Sequence, residues 1–377
     1  MRKIFYISLL GLVLFELLNV YFIMPFPGSQ AINSIDFAYF LYTNRWLFRL
    51  FFGLMISIGI PAIYKSKQKW IPVLILILST ASIYMLNFQM SADKMFKQPQ
   101  QLTFKTQKEN KINKDGLVIG VEINGDAKAY PIRFMSYHHQ VQDSVGGKSI
   151  IVTYCNVCRS GRVFEPLVNG HSEKFRLVGM DHFNAMFEDE TTKTWWRQAT
   201  GEAIVGALKG KSLPEIESKQ MTIRKWFELY PAGKVMQRDE ASRTEYDSLA
   251  KFERGKSIGD LTRTNLLSWK NKSWVVGIKM GHSTKVYDWN VLKKKRIIND
   301  TIQQKPIVLA LSVDGKSFVA FERPSSASFT ISHDTLFSDG KSYDFLGRNL
   351  STPTKRLAFV KAYQEFWHSW KTFDVGK

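Results

Sequence analysis

The chain reads as an α+β protein, mostly β, in which N-terminal transmembrane helices precede two related β-rich lobes forming an internal tandem repeat. Three observations predict this. Long apolar runs are confined to the first ninety residues. Beyond them come short apolar stretches punctuated by Asn-Gly pairs, the pattern of strands joined by tight turns. A segment beginning at Val118 recurs at Val275, and a repeat of this kind takes precedence over other fold signals.

The first run, "IFYISLLGLVLFELLNVYFIM", is long enough to cross a hydrocarbon layer of about 30 Å at about 1.5 Å per residue. "LFRLFFGLMISIGIPAIY" forms a second span, with Arg49 and Pro61 near its ends. "WIPVLILILSTASIYMLNF" forms a third, between an interfacial Trp70 and Tyr84. Arg2, Lys3 and the loop "KSKQK" from Lys65 to Lys69 belong in the cytoplasm, although Arg45 and Arg49 pull the other way. Three crossings then put the chain after Phe88 on the opposite side. The expected location is the inner (cytoplasmic) membrane, multi-pass, with a large extracytoplasmic C-terminal domain and the lipid bilayer as partner. "FIMPFPG" lacks a small-x-small cleavage pattern, so the first span is expected to be retained. Glu16 within it is either a functional group or a carboxyl that is protonated or reaches the interface.

The formal charge of +19 raises the question of nucleic acid, but the basic residues are scattered and no reader motif accompanies them. No nucleic-acid partner is expected, and protein partners are left open. A surface rich in Lys, beside inside-positive anchors, accounts for the charge.

Residues 1–90 read as the membrane anchor and 91–113, "DKMFKQPQQLTFKTQKENKIN" at the core, as a polar stalk. The first lobe covers 114–236, opening with "GLVIGVEINGDAKAYPI", where Asn124-Gly125 predicts a type I′ hairpin. A second hairpin is expected at Asn169-Gly170, and a short helix in "TIRKWFELYP", ending before Pro231. A polar insertion at 237–268 leads to the second, degenerate lobe at 269–377. An ungapped offset of 157 pairs Gly120 with Gly277, Tyr130 with Tyr287, Asp143 with Asp300 and Phe164-Glu165 with Phe321-Glu322. The ends also correspond, "KWFELYP" against "SWKTFDV".

The repeat fails at informative places: His138 faces Lys295, Cys155 faces Ser312 and Cys158 faces Gly315. A fold retained without those side chains does not require them, which shifts their weight toward chemistry.

"INGDAKAYPI", "HHQVQDSVGGKSIIVTYCNVC", "TTKTWWRQATGEAIVGALKGKSLPEI" and "YPAGKV" resemble the bacterial domain of unknown function family 3179, most densely over 116–235. Members with Cys-Pro-Leu-Cys are similar; here Asn156-Val157 fills the middle, which changes the stiffness of the loop. The resemblance implies His138, Cys155, Cys158, Asn184, Trp196, Gln198, Gly201 and Glu202 as the family's positions, and carries no reaction.

"TYCNVCRSG" holds both cysteines of the chain, three residues apart. Two thiolates at that spacing reach one soft or borderline ion, copper or zinc, with His138, His182, Asp143 or Glu202 completing the site. His138 is the expected third ligand, brought back by strand reversal. Thiol-disulfide exchange is the alternative, with Arg159 available to stabilise a thiolate. A structural disulfide is the third reading, though so small a loop gains little entropically. From another class comes a ligand-binding module with a groove lined by Tyr154, Asn184, Trp195, Trp196, Gln198 and Glu202. Glu202 alone is weak evidence for acid–base work, and whether the protein is an enzyme stays open. No Gly-x-Ser-x-Gly elbow, phosphate loop or His-Glu-x-x-His pattern is present.

Overall fold

The computed structural model describes residues 2–65, 67–281 and 283–374. The final position of the matching end "SWKTFDV", Val375, lies outside the described residues. The architecture is α+β, with many strands in several small sheets and apolar helices at the N-terminus. The chain divides into two compact units. One comprises Met1–Lys97, Phe175–Arg197 and Glu202–Ser212; the other comprises Gln98–Lys174, Gln198–Gly201 and Leu213–Lys377.

In the first unit, Arg2–Tyr21, Arg45–Tyr64 and Trp70–Gln89 are long and apolar enough to cross a membrane. Glu16 and Arg49 face each other across two of these helices, Arg49 Nε donating to Oε1 at 2.6 Å and Nη2 to Oε2 at 3.0 Å. Pairing of this kind offsets the desolvation of charge on an apolar helix. Asn19 Nδ2 likewise donates to Asn87 Oδ1 at 3.0 Å. A four-stranded sheet, Ala203–Val205, Trp195–Arg197, Asn184–Asp189 and Phe175–Asp181 in that order, belongs to the same unit. Its Val178, Met186 and Trp195 share a core with Ile23 and Ala38, and Met180 N donates to Ile23 O at 2.8 Å. These four strands, from the middle of the chain, belong to the same unit as the apolar helices.

In the second unit, strands Leu117–Ile123 and Asp126–Pro131 pair as a hairpin whose turn holds Asn124 and Gly125 at φ 52° and 81°. Both central residues of a type I′ turn require positive φ, so the Asn-Gly signal is realised here. The turn at Asn169-Gly170 is similar, at φ 50° and 83°, between strands of two residues each. After the first hairpin come a helix, Ile132–His138, and three strands, Gln140–Val145, Lys148–Cys155 and Ser160–Phe164. Later in the chain come a hairpin, Trp274–Met280 with Ser283–Asp288, a helix, Trp289–Lys295, and three strands, Ile297–Ile302, Lys305–Leu311 and Phe318–Glu322. Tyr130 OH donates to Asp143 Oδ2 at 2.7 Å, and Tyr287 OH to Asp300 Oδ2 at 3.1 Å. A Cβ at Gly120 would lie 2.2 Å from the Trp226 ring, and one at Gly277 2.1 Å from the Trp370 ring, so only glycine admits those indoles. The expected helix runs Ile223–Leu229, with Thr222 accepting from Lys225 N as its cap.

Two segments polar in composition contribute to this core. Phe104–Lys105, inside the expected stalk, pairs with Lys234–Met236 at the edge of the five-stranded sheet. The expected insertion buries Tyr246, Phe252 and Glu253. Glu253 accepts from Leu117 N and from Arg133 Nη2, both at 2.8 Å.

Candidate thiol site

Strands Lys148–Cys155 and Ser160–Phe164 are antiparallel, with Cys155 opposite Ser160. The turn between them carries Cys158, and three of its polar groups are held from outside it. Asn156 Nδ2 donates to Ser136 O at 2.7 Å, Val157 O accepts from Lys272 Nζ at 2.7 Å, and Cys158 O accepts from Phe366 N at 2.9 Å. Arg159 closes the turn at φ 55°, a conformation disfavoured for a side chain with a Cβ. Its guanidinium is buried, donating to Phe252 O at 3.2 Å and Glu253 O at 3.1 Å, 3.9 Å from the Trp274 ring. Those anchors overdetermine the backbone and turn both thiols inward.

Both cysteines are thiols outside any disulfide and fully buried. Burial pushes the Cys158 thiol well up; the Cys155 thiol in hydrogen-bond contact adds to the rise, and His368 in hydrogen-bond contact opposes it. His368 Nδ1 lies 3.0 Å from Asn271 O, a carbonyl that only accepts, so Nδ1 carries the proton. Metal-binding histidines are commonly fixed in this way through the nitrogen away from the metal.

Lys272 is half-buried, its ammonium on Val157 O and Leu261 O and 4.9 Å from the Phe366 ring. Burial pulls it down to about 8, against the pull of Cys158 and Cys155. Beneath the pair, Ser160 Oγ donates to Gln198 Oε1 at 2.8 Å, and Gln198 Nε2 donates to Thr153 Oγ1 and Ser160 O, both at 3.1 Å. Tyr154 is buried beside the cysteines, its hydroxyl pushed up by burial. Gly201, at φ 69°, leaves the Phe164 ring its place, since a Cβ there would lie 2.6 Å from it.

The family follows from the chain. It belongs to the family described as Protein of unknown function (DUF3179), matched over residues 97–375. No curated protein and no solved structure matches the chain. The DUF3179 match takes in Cys155, Cys158, Lys272 and His368, and begins after the three apolar helices.

The remaining expected site residues lie elsewhere. His138 Nε2 is 2.5 Å from Tyr246 OH, and its neighbour His139 bonds Tyr154 O through Nδ1 at 2.9 Å. His182, in the unit with the apolar helices, bonds Asp181 Oδ1 through Nδ1 at 2.7 Å and Asn33 Oδ1 through Nε2 at 2.9 Å. The hydrogen bond to Asp181 raises its pKa. In that unit too, Trp195 Nε1 donates to Glu188 and Trp196 Nε1 to Asp189, each at 2.9 Å, Asn184 is buried, and Glu202 lies 3.4 Å from Arg197. The imidazole that the sequence missed is His368, some two hundred residues downstream of the thiols. "QEFWHSW" carries no local signal beyond its single histidine. Among the described residues, no group of three or more His, Cys, Asp or Glu side chains is arranged for a metal ion.

Proposed function

We propose that this is a membrane-anchored, extracytoplasmic protein that binds a soft metal ion, copper or zinc, through Cys155 and Cys158. The observation that carries the reading is the thiol pair in mutual contact, meeting an imidazole whose Nδ1 is fixed by Asn271 O. Thiols and imidazole are donors that soft metals take. Their burial argues against disulfide exchange with another protein, which needs a sulfur that a partner can reach. Copper or zinc ions meet no such steric limit.

Two related lobes hold the site in this proposal. Its support is the shared order of elements, the Tyr–Asp bonds at Tyr130 and Tyr287, and the glycine–indole contacts at Gly120 and Gly277. Each lobe reaches for the other: Phe366 N bonds Cys158 O, and in a related place Thr222 N bonds Ser317 Oγ at 2.9 Å. Where the first lobe has thiols, the second has Ser312 donating to Asp334 at 2.7 Å, with Lys225 also on Asp334.

The test is metal content. Full-length protein purified in detergent and equilibrated with either ion should retain about one equivalent, lost in Cys155→Ser and Cys158→Ser. A folded chain that stays metal-free, with thiols that oxidise and reduce reversibly, would put thiol chemistry in its place.

A further inference from the structure

We propose that the site takes the monovalent cuprous ion in preference to zinc, with Lys272 as the cation that offsets a negatively charged bis-thiolate complex. This rests on the metal-binding reading above and concerns which ion the site is built for.

Binding replaces two S–H bonds by two metal–sulfur bonds and releases two protons to solvent. With a monovalent ion the two thiolates leave a complex of charge −1; with a divalent ion they leave it neutral, and neutral imidazole changes neither sum. A buried site prefers an ion that leaves no uncompensated charge. Lys272 supplies one positive charge there, and its position is fixed. Nζ donates to Val157 O, inside the Cys-x-x-Cys turn, and to Leu261 O, both of them neutral carbonyls. A lysine so placed faces the metal complex as an unneutralised cation, which favours −1 and disfavours 0.

Ligand number points the same way. Zinc takes four ligands in structural sites and three with a water in catalytic ones. Among the described residues no ready group of three donors exists, whereas the thiols are already in contact. Soft thiolates select cuprous copper. Arg159, the other cation of the turn, donates likewise to two neutral carbonyls, Phe252 O and Glu253 O, over the Trp274 ring, and adds to the same positive charge.

The experiment is a competition on the detergent-solubilised full chain under anaerobic conditions, with cuprous ion supplied in a buffered form. Cuprous ion should displace zinc from the wild type even with zinc in roughly tenfold excess. Lys272→Met should weaken cuprous binding by roughly 10–100-fold, the usual range for a group behind the ligands, and leave zinc binding unchanged or tighter. Lys272→Arg, which keeps the charge, should retain the preference. Zinc bound more tightly than cuprous ion by the wild type overturns this inference and leaves metal binding intact. A chain that binds neither ion overturns both. Equal loss of both ions in Lys272→Met, with Lys272→Arg behaving as Met, reduces Lys272 to packing and also overturns it.

Discussion

Arg162 and Glu365 form the buried link between the cysteine hairpin and the strand that leads to His368. Arg162 Nη2 donates to Glu365 Oε1 at 2.7 Å, with the two side chains 3% and 0% exposed, and the guanidinium lies 3.6 Å from the Tyr363 ring. Glu365 Oε2 has no hydrogen-bond partner among the described residues, so Arg162 is the main compensation for that carboxylate. Replacing Arg162 by Met keeps much of the volume and leaves a charge where water does not reach. Removing one partner of a buried pair costs about 3–5 kcal/mol, whereas replacing both by apolar groups is often neutral. Arg162→Met should therefore lower stability by about that amount, and Arg162→Met with Glu365→Leu should recover most of it. Urea unfolding in detergent, followed by tryptophan fluorescence, gives the whole cycle. A single variant within about 1 kcal/mol of wild type, or a double variant no better than the single, would refute the reasoning. Because Glu365 lies three residues before His368, Arg162→Met should also weaken metal retention.

Other perturbations address different parts of the account. Gly277→Ala forces a Cβ into the Trp370 ring and should cost about 1–3 kcal/mol in the same unfolding assay, as should Gly120→Ala against Trp226. Gln198→Leu leaves the buried Ser160 hydroxyl without its acceptor and should lower the thermal midpoint, at about 1–3 kcal/mol. His139 is held down to about 4 by burial, with Tyr154 O opposing and His138 adding to the drop. Its contribution to stability is thus complete above about pH 6.5 and is lost as pH falls toward 4, about 3 kcal/mol in all; His139→Phe should flatten that slope in urea midpoints taken across the range. A reporter fused after Asp93 should be active only when exported; activity in the cytoplasm would reverse the proposed topology.

Local patterns carried much of this reading. Asn124-Gly125 specified its turn because the required backbone conformation is written in two adjacent residues. Thr222 and Pro231 bracket the helix Ile223–Leu229 for similar reasons of capping and chain stiffness. The cysteines were recognisable between two strands, and Glu16 was singled out as a charge within an apolar run. What escaped were partners distant in sequence. Arg49 answers Glu16 from another helix, His368 meets Cys158 from the end of the chain, and Tyr246 takes His138 from a segment that composition marks as linker. Such pairings arise from how strands and helices return on one another, which no window of sequence records. At 237–268 a few buried side chains, Tyr246, Phe252 and Glu253, do the packing while many neighbours stay polar and exposed.

Ligation at the two sulfurs is the claim on which the account depends, and X-ray absorption reads it directly. Full-length protein equilibrated with cuprous ion or zinc, and washed free of excess, should show metal–sulfur scattering at about 2.3 Å. That signal should vanish when Cys155 and Cys158 are both replaced by serine. Bound metal with only nitrogen and oxygen neighbours, or a sulfur signal that survives the double replacement, would contradict it.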